Sequence, residues 1–361
     1  MASGLSVAVV GLGFGRAFVP IYQAHPNVDR VVLCERNAEL LQQFGDEFGI
    51  PDRYEDLDQI LQDGHIDAVH LLTQVPRHVE QTLAVLNAGK HCACAVPMGT
   101  TLDGLRQIVE AEKRSGKNYM MMETAAYSRE FLLAKDLYLK GELGELTFLR
   151  GTYFQDLEGD YPDYWRAQPP MHYATHSLSP IFALTGRRAA AVRCMGSGRL
   201  RPDLQMPDGN VFPLQTAIFE LEGTHIVAAV TKSWFQVARS NIEAFDVYGD
   251  KGSFEWEQLD GEGAAIFKFD ESRPTQRRNA EAKRMEPPFR PDLLPPELHA
   301  HMKGWHGGSH PHLVHEFISS IAEGRPSAIN AKTAANWTAA GICANDSSLI
   351  NGERVTVPTF Y

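Results

Sequence analysis

No run of the roughly 18 uninterrupted apolar residues that a membrane span needs occurs anywhere in the sequence. Cysteine is scarce: Cys34, Cys92, Cys94, Cys194 and Cys343 are five among 361 residues. They are odd in number and mostly sit in apolar surroundings. That excludes a disulfide framework and reads as buried, reduced thiols in a cytoplasmic protein. Cys92-x-Cys94 has no second ligand pair elsewhere, so no metal is expected. Positive charge is also short, with 34 Lys and Arg against 45 Asp and Glu and a formal net charge of −11. A nucleic-acid or anionic-membrane partner would favour a basic surface, so neither is expected. The N-terminus shows no basic segment ahead of its first apolar stretch, and that stretch is used up as a strand.

What is present is ordinary for a globular protein: 43% hydrophobic and 22% charged residues over a length that suits two domains. The run Ser6–Val10 reads as a parallel strand buried on both faces. It passes directly into Gly11-x-Gly13, after which helical spacing begins. Glycines there let a dinucleotide pyrophosphate approach the backbone, and the following N–H groups face it. A second strand, Arg30–Cys34, ends in Glu35, where a carboxylate accepts hydrogen bonds from the adenosine ribose hydroxyls and repels a 2′-phosphate. NAD(H) is therefore favoured, while the neighbouring Arg36 keeps NADP(H) open. The third glycine of the G-x-G-x-x-G pattern falls on Arg16, and Gly15 stands one place early.

From Glu35 onward helices and strands alternate with short connections. Asn37 caps a helix through Phe44, Ile66–Leu72 is a buried strand, and Lys90–Ala95 another. A helix runs from Leu102 to Arg114 and stops at Gly116, and Tyr119–Glu123 is the last strand. This alternation predicts a doubly wound parallel sheet over residues 1–125. Thr73, Gln74 and His78 follow a strand's C-terminal end, where such sheets hold their ligands. From 126 to 361 strands dominate: 146–154, 191–195, 215–221, 225–233 and 242–248. They predict an α/β domain with a large, open, mostly antiparallel sheet, and helices at 311–323 and 331–349 close the chain. Residues 271–300 read as a long loop carrying Arg273, Arg277, Arg278, Lys283, Arg284 and Arg290.

The chemistry concentrates in Trp165–Pro180. If the chain is helical from Thr175, His172 and His176 lie one turn apart with Tyr173 beside them. Two imidazoles and a phenol supply proton donors and acceptors. The same i, i+4 histidines match a zinc pair, but no H-E-x-x-H pattern or third ligand accompanies them.

The ordered set Val10-Gly11-x-Gly13, Glu35-Arg36, Asp67-Ala68-Val69, Ala88-Gly89-Lys90-His91 and Gly141-x-x-Gly144 resembles the Gfo/Idh/MocA oxidoreductases. The resemblance implies a Rossmann domain followed by a substrate-binding domain whose sheet often pairs in a dimer or tetramer. It further implies cofactor contacts from Gly11, Gly13, Phe14, Gly15, Glu35, Arg36, Thr73, Gln74, His78, Ala95, Pro97, Trp165 and Arg166. One departure stands out. Most of the family reads Glu-Lys-Pro where this chain has Ala95-Val96-Pro97, and that lysine exchanges a proton with the reacting hydroxyl. Valine cannot.

Within the superfamily, Glu123-x-x-x-Tyr127, Tyr153-x-x-Asp156, Trp165-Arg166, Tyr173-x-Thr175-His176 and His306-Gly307-Gly308 look like the NAD-dependent glycosidases, with the α-N-acetylgalactosaminidases as the type case and the sulfoquinovosidases in the same mechanistic group. Those relatives carry Glu-Val-Pro at the position of Ala95-Val96-Pro97. Their chemistry oxidises a sugar at C3, eliminates the aglycone from C1 after loss of the C2 proton, adds water and reduces the ketone again. By that resemblance Tyr173 and His176 are the proton-transfer candidates, with their roles exchangeable and Tyr127 auxiliary. Glu123, His172, Trp165, Arg166 and His306 are the sugar-binding candidates, and the basic loop suggests an anionic substituent. Two other readings compete: a simple sugar or polyol dehydrogenase that releases NADH, and a non-catalytic protein that senses NAD or a sugar.

Overall fold

A computed structural model describes residues 4–159, 162–207, 209–239, 241–269 and 279–361. The chain divides into two compact units. The first comprises Met1–Tyr127, Arg290–Ala335 and Phe360–Tyr361, and the second Ser128–Phe289 and Asn336–Thr359. This differs from a single cut near residue 125, because the segment from Arg290 groups with the N-terminal unit.

The first unit is built on six parallel strands: β1 (Leu5–Val10), β2 (Val28–Cys34), β3 (Arg53–Tyr54), β4 (Ala68–Leu71), β5 (His91–Cys94) and β6 (Tyr119–Met121). Their order in the sheet is β3-β2-β1-β4-β5-β6, with β1 paired to both β2 and β4. β1, β4 and β5 are buried along nearly their whole length and mostly apolar, as strands covered by helices on both faces are, with Ser6 and His70 as buried polar exceptions. Asn37 accepts from the N–H groups of Glu39 and Leu40, Thr101 from that of Gly104, and Gly116 ends its helix in the left-handed region. The strand order reverses between β1 and β4, and at that point doubly wound sheets bind their ligands.

The second unit holds a nine-stranded sheet: β7 (Leu146–Phe154), β8 (Ala189–Ser197), β9 (Leu214–Leu221), β10 (Val227–Ser233), β11 (Ile242–Gly249), β12 (Gly252–Glu255), β13 (Ala264–Phe269), β14 (Ala280–Met285) and β15 (Val355–Thr356). The order is β14-β13-β12-β11-β7-β10-β9-β8-β15, antiparallel throughout except for the β7–β10 pair. β12, β13, β14 and β15 extend the sheet beyond the five strands expected. β14 corrects the loop reading of residues 271–300: it pairs with β13, and short turns of 3-10 helix follow at Pro291–Leu293 and Pro296–His301. Its sequence Ala-Glu-Ala-Lys-Arg-Met alternates nothing, because an exposed edge strand is blunted by charge rather than patterned for burial. Arg273, Arg277 and Arg278 lie outside the described residues.

The helix Thr175–Thr185 lies across β7 and β11 on the sheet's inner face. Gly151, in the middle of β7, makes the approach possible, since a Cβ there would sit 2.3 Å from the Ser177 carbonyl oxygen. Gly151→Ala should therefore push this helix off the sheet and destabilise the protein by about 1–3 kcal/mol in denaturant unfolding. A variant as stable as its parent would show that the helix is free to shift.

Candidate functional site

Of the three glycines in the turn of the first unit, the protein's own packing requires two and leaves the third unexplained. Gly11 has φ +91°, and a Cβ on it would fall 2.5 Å from the Leu72 carbonyl oxygen, so only glycine fits. Gly15 performs the duty that the fingerprint gives to its third glycine. A Cβ there would meet Val9 at 3.1 Å and Leu72 at 3.2 Å, so the turn packs closely on β1 and β4. Arg16 is consequently free to point outward, with its guanidinium over the Phe44 ring. Gly13 is different: a Cβ on it would meet no atom within 4 Å. That open space above backbone N–H groups fits a pyrophosphate.

Glu35 sits where a ribose ligand is needed. Its carboxylate accepts from the Leu12 N–H at 2.8 Å and the Asn37 N–H at 3.0 Å, which fixes it beside the turn, and Arg36 is exposed. Phe14, half-exposed at the tip, contacts the rings of His306 and His310 edge-on at 6.2 and 5.7 Å. The structure thus places His306 (φ +51°) beside the glycine turn. The side chains of Thr73 and Gln81 hydrogen-bond, and Gln74 is exposed.

His78 is wholly buried, with Nδ1 2.8 Å from the Pro97 carbonyl and Nε2 3.0 Å from that of Thr73. It ties the loops after β4 and β5 together. Burial disfavours its charged form, yet the Cys94 sulfur and the two carbonyls outweigh that and push its pKa up to about 9. Ala95 is half-buried, and Val96 and Pro97 are buried. Glu123 is fully buried and accepts from the Ala125 N–H. Burial and then Glu316 push the Tyr127 phenol above its ordinary value, which makes it a poor proton donor near neutral pH.

The second unit gathers the aromatic candidates. The short helix Tyr164–Ala167 and the turn Pro170–Tyr173 precede the helix Thr175–Thr185, so Tyr173 and His176 fall on one side with rings 5.4 Å apart. Trp165 stands edge-on to Tyr173 at 5.1 Å, Tyr153 to His176 at 5.2 Å, and Trp234 lies 5.2 Å from Tyr173. Arg166 lies 3.7 Å from the Asp163 carboxylate. Burial lowers His172 to about 4, so it is neutral near pH 7 and a weak base.

Beneath His176 runs a buried polar row that the sequence reading missed. Gln215 of β9 is the cross-strand neighbour of Lys232 on β10, Lys232 of Tyr153 on β7, and Tyr153 of Glu243 on β11. Glu243 Oε2 lies 3.9 Å from His176 Nδ1. Gln215 accepts from the Met171 N–H at 2.9 Å and donates to Asn345 and Ser348, which anchors the turn leading to Tyr173. A signal was available. In β10 the buried positions alternate as Ala228, Val230 and Lys232, so a lysine occupies the core parity of a strand. Among the described residues, no group of three or more His, Cys, Asp or Glu is placed to hold a metal ion, and no helix is long and apolar enough to cross a membrane.

A doubly wound parallel sheet with a glycine turn after its first strand and an acid after its second defines an NAD-binding oxidoreductase-type unit, joined here to a sheet-rich second unit. The chain belongs to the Gfo/Idh/MocA family: residues 5–123 match its "Oxidoreductase family, NAD-binding Rossmann fold" domain, and residues 131–255 its C-terminal domain. Among curated relatives, a glycosyl hydrolase family 109 protein of Phocaeicola vulgatus is 29% identical over 49% of this chain and 42% of its own. The levoglucosan dehydrogenase of Pseudarthrobacter phenanthrenivorans is 31% identical over 52% of each. These matches span about half the length of the curated relatives. Among solved structures, a levoglucosan dehydrogenase in complex with NADH superposes over 99% of this chain and 100% of that one, with TM-score 0.83 and 24% identity. An oxidoreductase domain protein from Kribbella flavida has TM-score 0.82 at 21% identity, over 99% and 100% of the two chains. The cofactor is NAD.

Two predictions follow from this geometry. Gly13→Val should leave the melting temperature within error of the parent, because nothing in the protein opposes the added atoms, yet weaken NAD binding at least tenfold by calorimetry. Equal affinity would mean that the open space is not the cofactor's. The raised pKa of His78 gives the second. Its stabilising tie is fully present below the unfolded value of about 6.5 and lost as pH rises through about 9. The stability advantage of the parent over His78→Asn should therefore shrink between those values in unfolding titrations. An advantage independent of pH would mean that a neutral ring makes both contacts.

Proposed function

We propose that the protein is an NAD-dependent glycosidase whose reaction begins and ends with the cofactor in the same oxidation state. The observation that carries the reading is the Tyr173–His176–Glu243 cluster, where protons can be exchanged, in a chain whose Val96 cannot exchange one. NAD held by Gly11, Gly13 and Glu35 supplies a reversible hydride acceptor. The remaining demands fall on side chains. A base must take the proton of the sugar 3-hydroxyl as C3 becomes a ketone. A base must then take the C2 proton, acidified by that ketone, as the C1 aglycone leaves. Water adds back at C1, and the ketone returns to an alcohol.

His176 and Tyr173 are our candidates for these proton steps. Glu243 favours a proton on His176 Nδ1, leaving Nε2 as the acceptor, and stabilises the imidazolium once formed. Trp165 and Tyr173 offer edge-on aromatic surfaces suited to a sugar's C–H face. Glu123, Tyr127, His172, Arg166 and His306 are supporting candidates. Of the basic residues at 273–290, Arg284 and Arg290 lie against Glu262 and Asp292, and Arg273, Arg277 and Arg278 lie outside the described residues, so an anionic substituent stays a proposal from the sequence alone. The likeness to levoglucosan dehydrogenase favours a second reading, oxidation of a sugar with release of NADH through the same two residues.

Reaction of an aryl glycoside panel in deuterium oxide separates the two. The glycosidase places deuterium at C2 of the released sugar with no net NADH. Free NADH with a ketosugar favours the dehydrogenase, and a released sugar wholly protiated at C2 overturns the elimination route. His176→Ala and Tyr173→Phe should each lower turnover about 10²- to 10⁴-fold while NAD affinity stays unchanged. Near-parental rates in both would move the chemistry elsewhere.

We also propose a homodimer or homotetramer formed through the outer face of the nine-stranded sheet. Met195, Ile218 and Val227 are exposed there on adjacent strands, at 57, 43 and 38%. Light scattering at micromolar concentration tests it, and a monomer refutes it.

A further inference from the structure

The second unit buries a charged group that no step above uses. Lys232 has no exposed surface. Its Nζ donates to the Ser233 carbonyl at 2.6 Å and to Gln155 Oε1 at 3.2 Å, and sits 3.7 Å and 3.5 Å from the ring centres of Tyr153 and Trp234. All four partners are electron-rich. A neutral amine has two N–H bonds and a lone pair to place, whereas an ammonium has three N–H bonds and a charge that aromatic faces attract. The surroundings are therefore built for the cation. Burial opposes it and holds the amine well below its ordinary pKa, and Glu243 pulls in the other direction.

We infer that Lys232 and Glu243 are positioning residues of the proton relay. Lys232 is the buried counter-charge that keeps Glu243 ionised, and ionised Glu243 holds the proton of His176 on Nδ1. This rests on the reading of His176 as a proton acceptor. The register supports it, because Lys232 and Glu243 are the two cross-strand neighbours of Tyr153 and so flank one ring in a single buried row. An isolated carboxylate in that row would take up a proton rather than stay charged. A cation at fixed distance removes that pressure, at the cost of burying both charges. Such a cost yields little stability. A proton relay is a use that explains it.

The titratable groups facing the row are Tyr153 from β7, Glu243 from β11, and His176 and Tyr173 from the helix and the turn before it. Without Lys232, Glu243 takes up a proton, and His176 loses the same negative charge that Glu243→Gln removes, which weakens its own proton binding. The test is therefore a titration of ¹⁵N-histidine-labelled protein by NMR, with the His176 signal assigned by its loss in His176→Gln. Lys232→Met and Glu243→Gln should each lower the His176 midpoint by roughly half a pH unit or more. Lys232→Arg, which keeps the charge, should leave it near the parental value. A raised or unmoved midpoint in either of the first two variants would overturn the inference. If Lys232→Met does not fold, Glu243→Gln decides alone: a fall supports the pair and an unmoved midpoint refutes it. The titration needs no turnover. Normal rates in His176→Ala would therefore sink the proton-acceptor reading and leave the electrostatic result legible on its own.

Discussion

Everything distinctive in the second unit depends on the close seating of one helix on one strand. Gly151 lets the backbone at Ser177 come within reach of β7, and a methyl group there would forbid it. That contact sets the height of His176 above the sheet, and so its distance to Glu243 and the ring of Tyr153. The same economy recurs in the turn before the helix. A Cβ at Gly341 would lie 2.2 Å from the Met171 carbonyl, while the Met171 N–H is bound by Gln215. The turn carrying Tyr173 is thereby held between two close approaches. A site that moves protons over a few ångströms needs this, since misplacement by even one ångström costs heavily in rate.

Much of the first unit was legible in the sequence because its signals are local. A buried apolar strand, a glycine turn, an acid after the second strand and polar helix caps each follow from neighbouring residues, and the structure shows all of them. The displaced glycine is instructive. By pattern Gly15 was one place early, yet its contacts with Val9 and Leu72 show that close packing selects the residue rather than its position in a motif. His78 shows the opposite limit. Its position suggested a ligand contact, but two backbone carbonyls claim the ring, and nothing in the linear sequence records where those carbonyls go.

In the second unit the legible part was His176 and Tyr173, which lie close in the chain. Lys232 and Glu243 were not, because their meaning is a register between strands far apart in sequence. β14 was missed for a related reason: a charged edge strand lacks the alternation by which strands are recognised. Segments 290–335 and 360–361 also group with the first unit, an assignment set by long-range contacts and not by composition.

Val96 and Lys232 are best understood together. Val96 is 6% exposed, so a lysine at that position would need partners for a buried ammonium, and a lone buried charge is costly. Lys232, by contrast, has two carbonyl oxygens and two aromatic faces ready for it. The two positions are not interchangeable, because a lysine serves chemistry only where its surroundings tolerate its charge. A lysine that reaches a reacting hydroxyl must also have access to it, whereas one wrapped by protein can act only through its field on neighbours. Loss of the first kind removes a proton carrier outright. The second kind leaves the carrying to His176 and Tyr173 and biases where their protons rest. In the proposed relay Lys232 and the partly buried Glu243 flank Tyr153 in one row, with His176 within ion-pair reach of the carboxylate, so Lys232 would act through its field and not through direct contact.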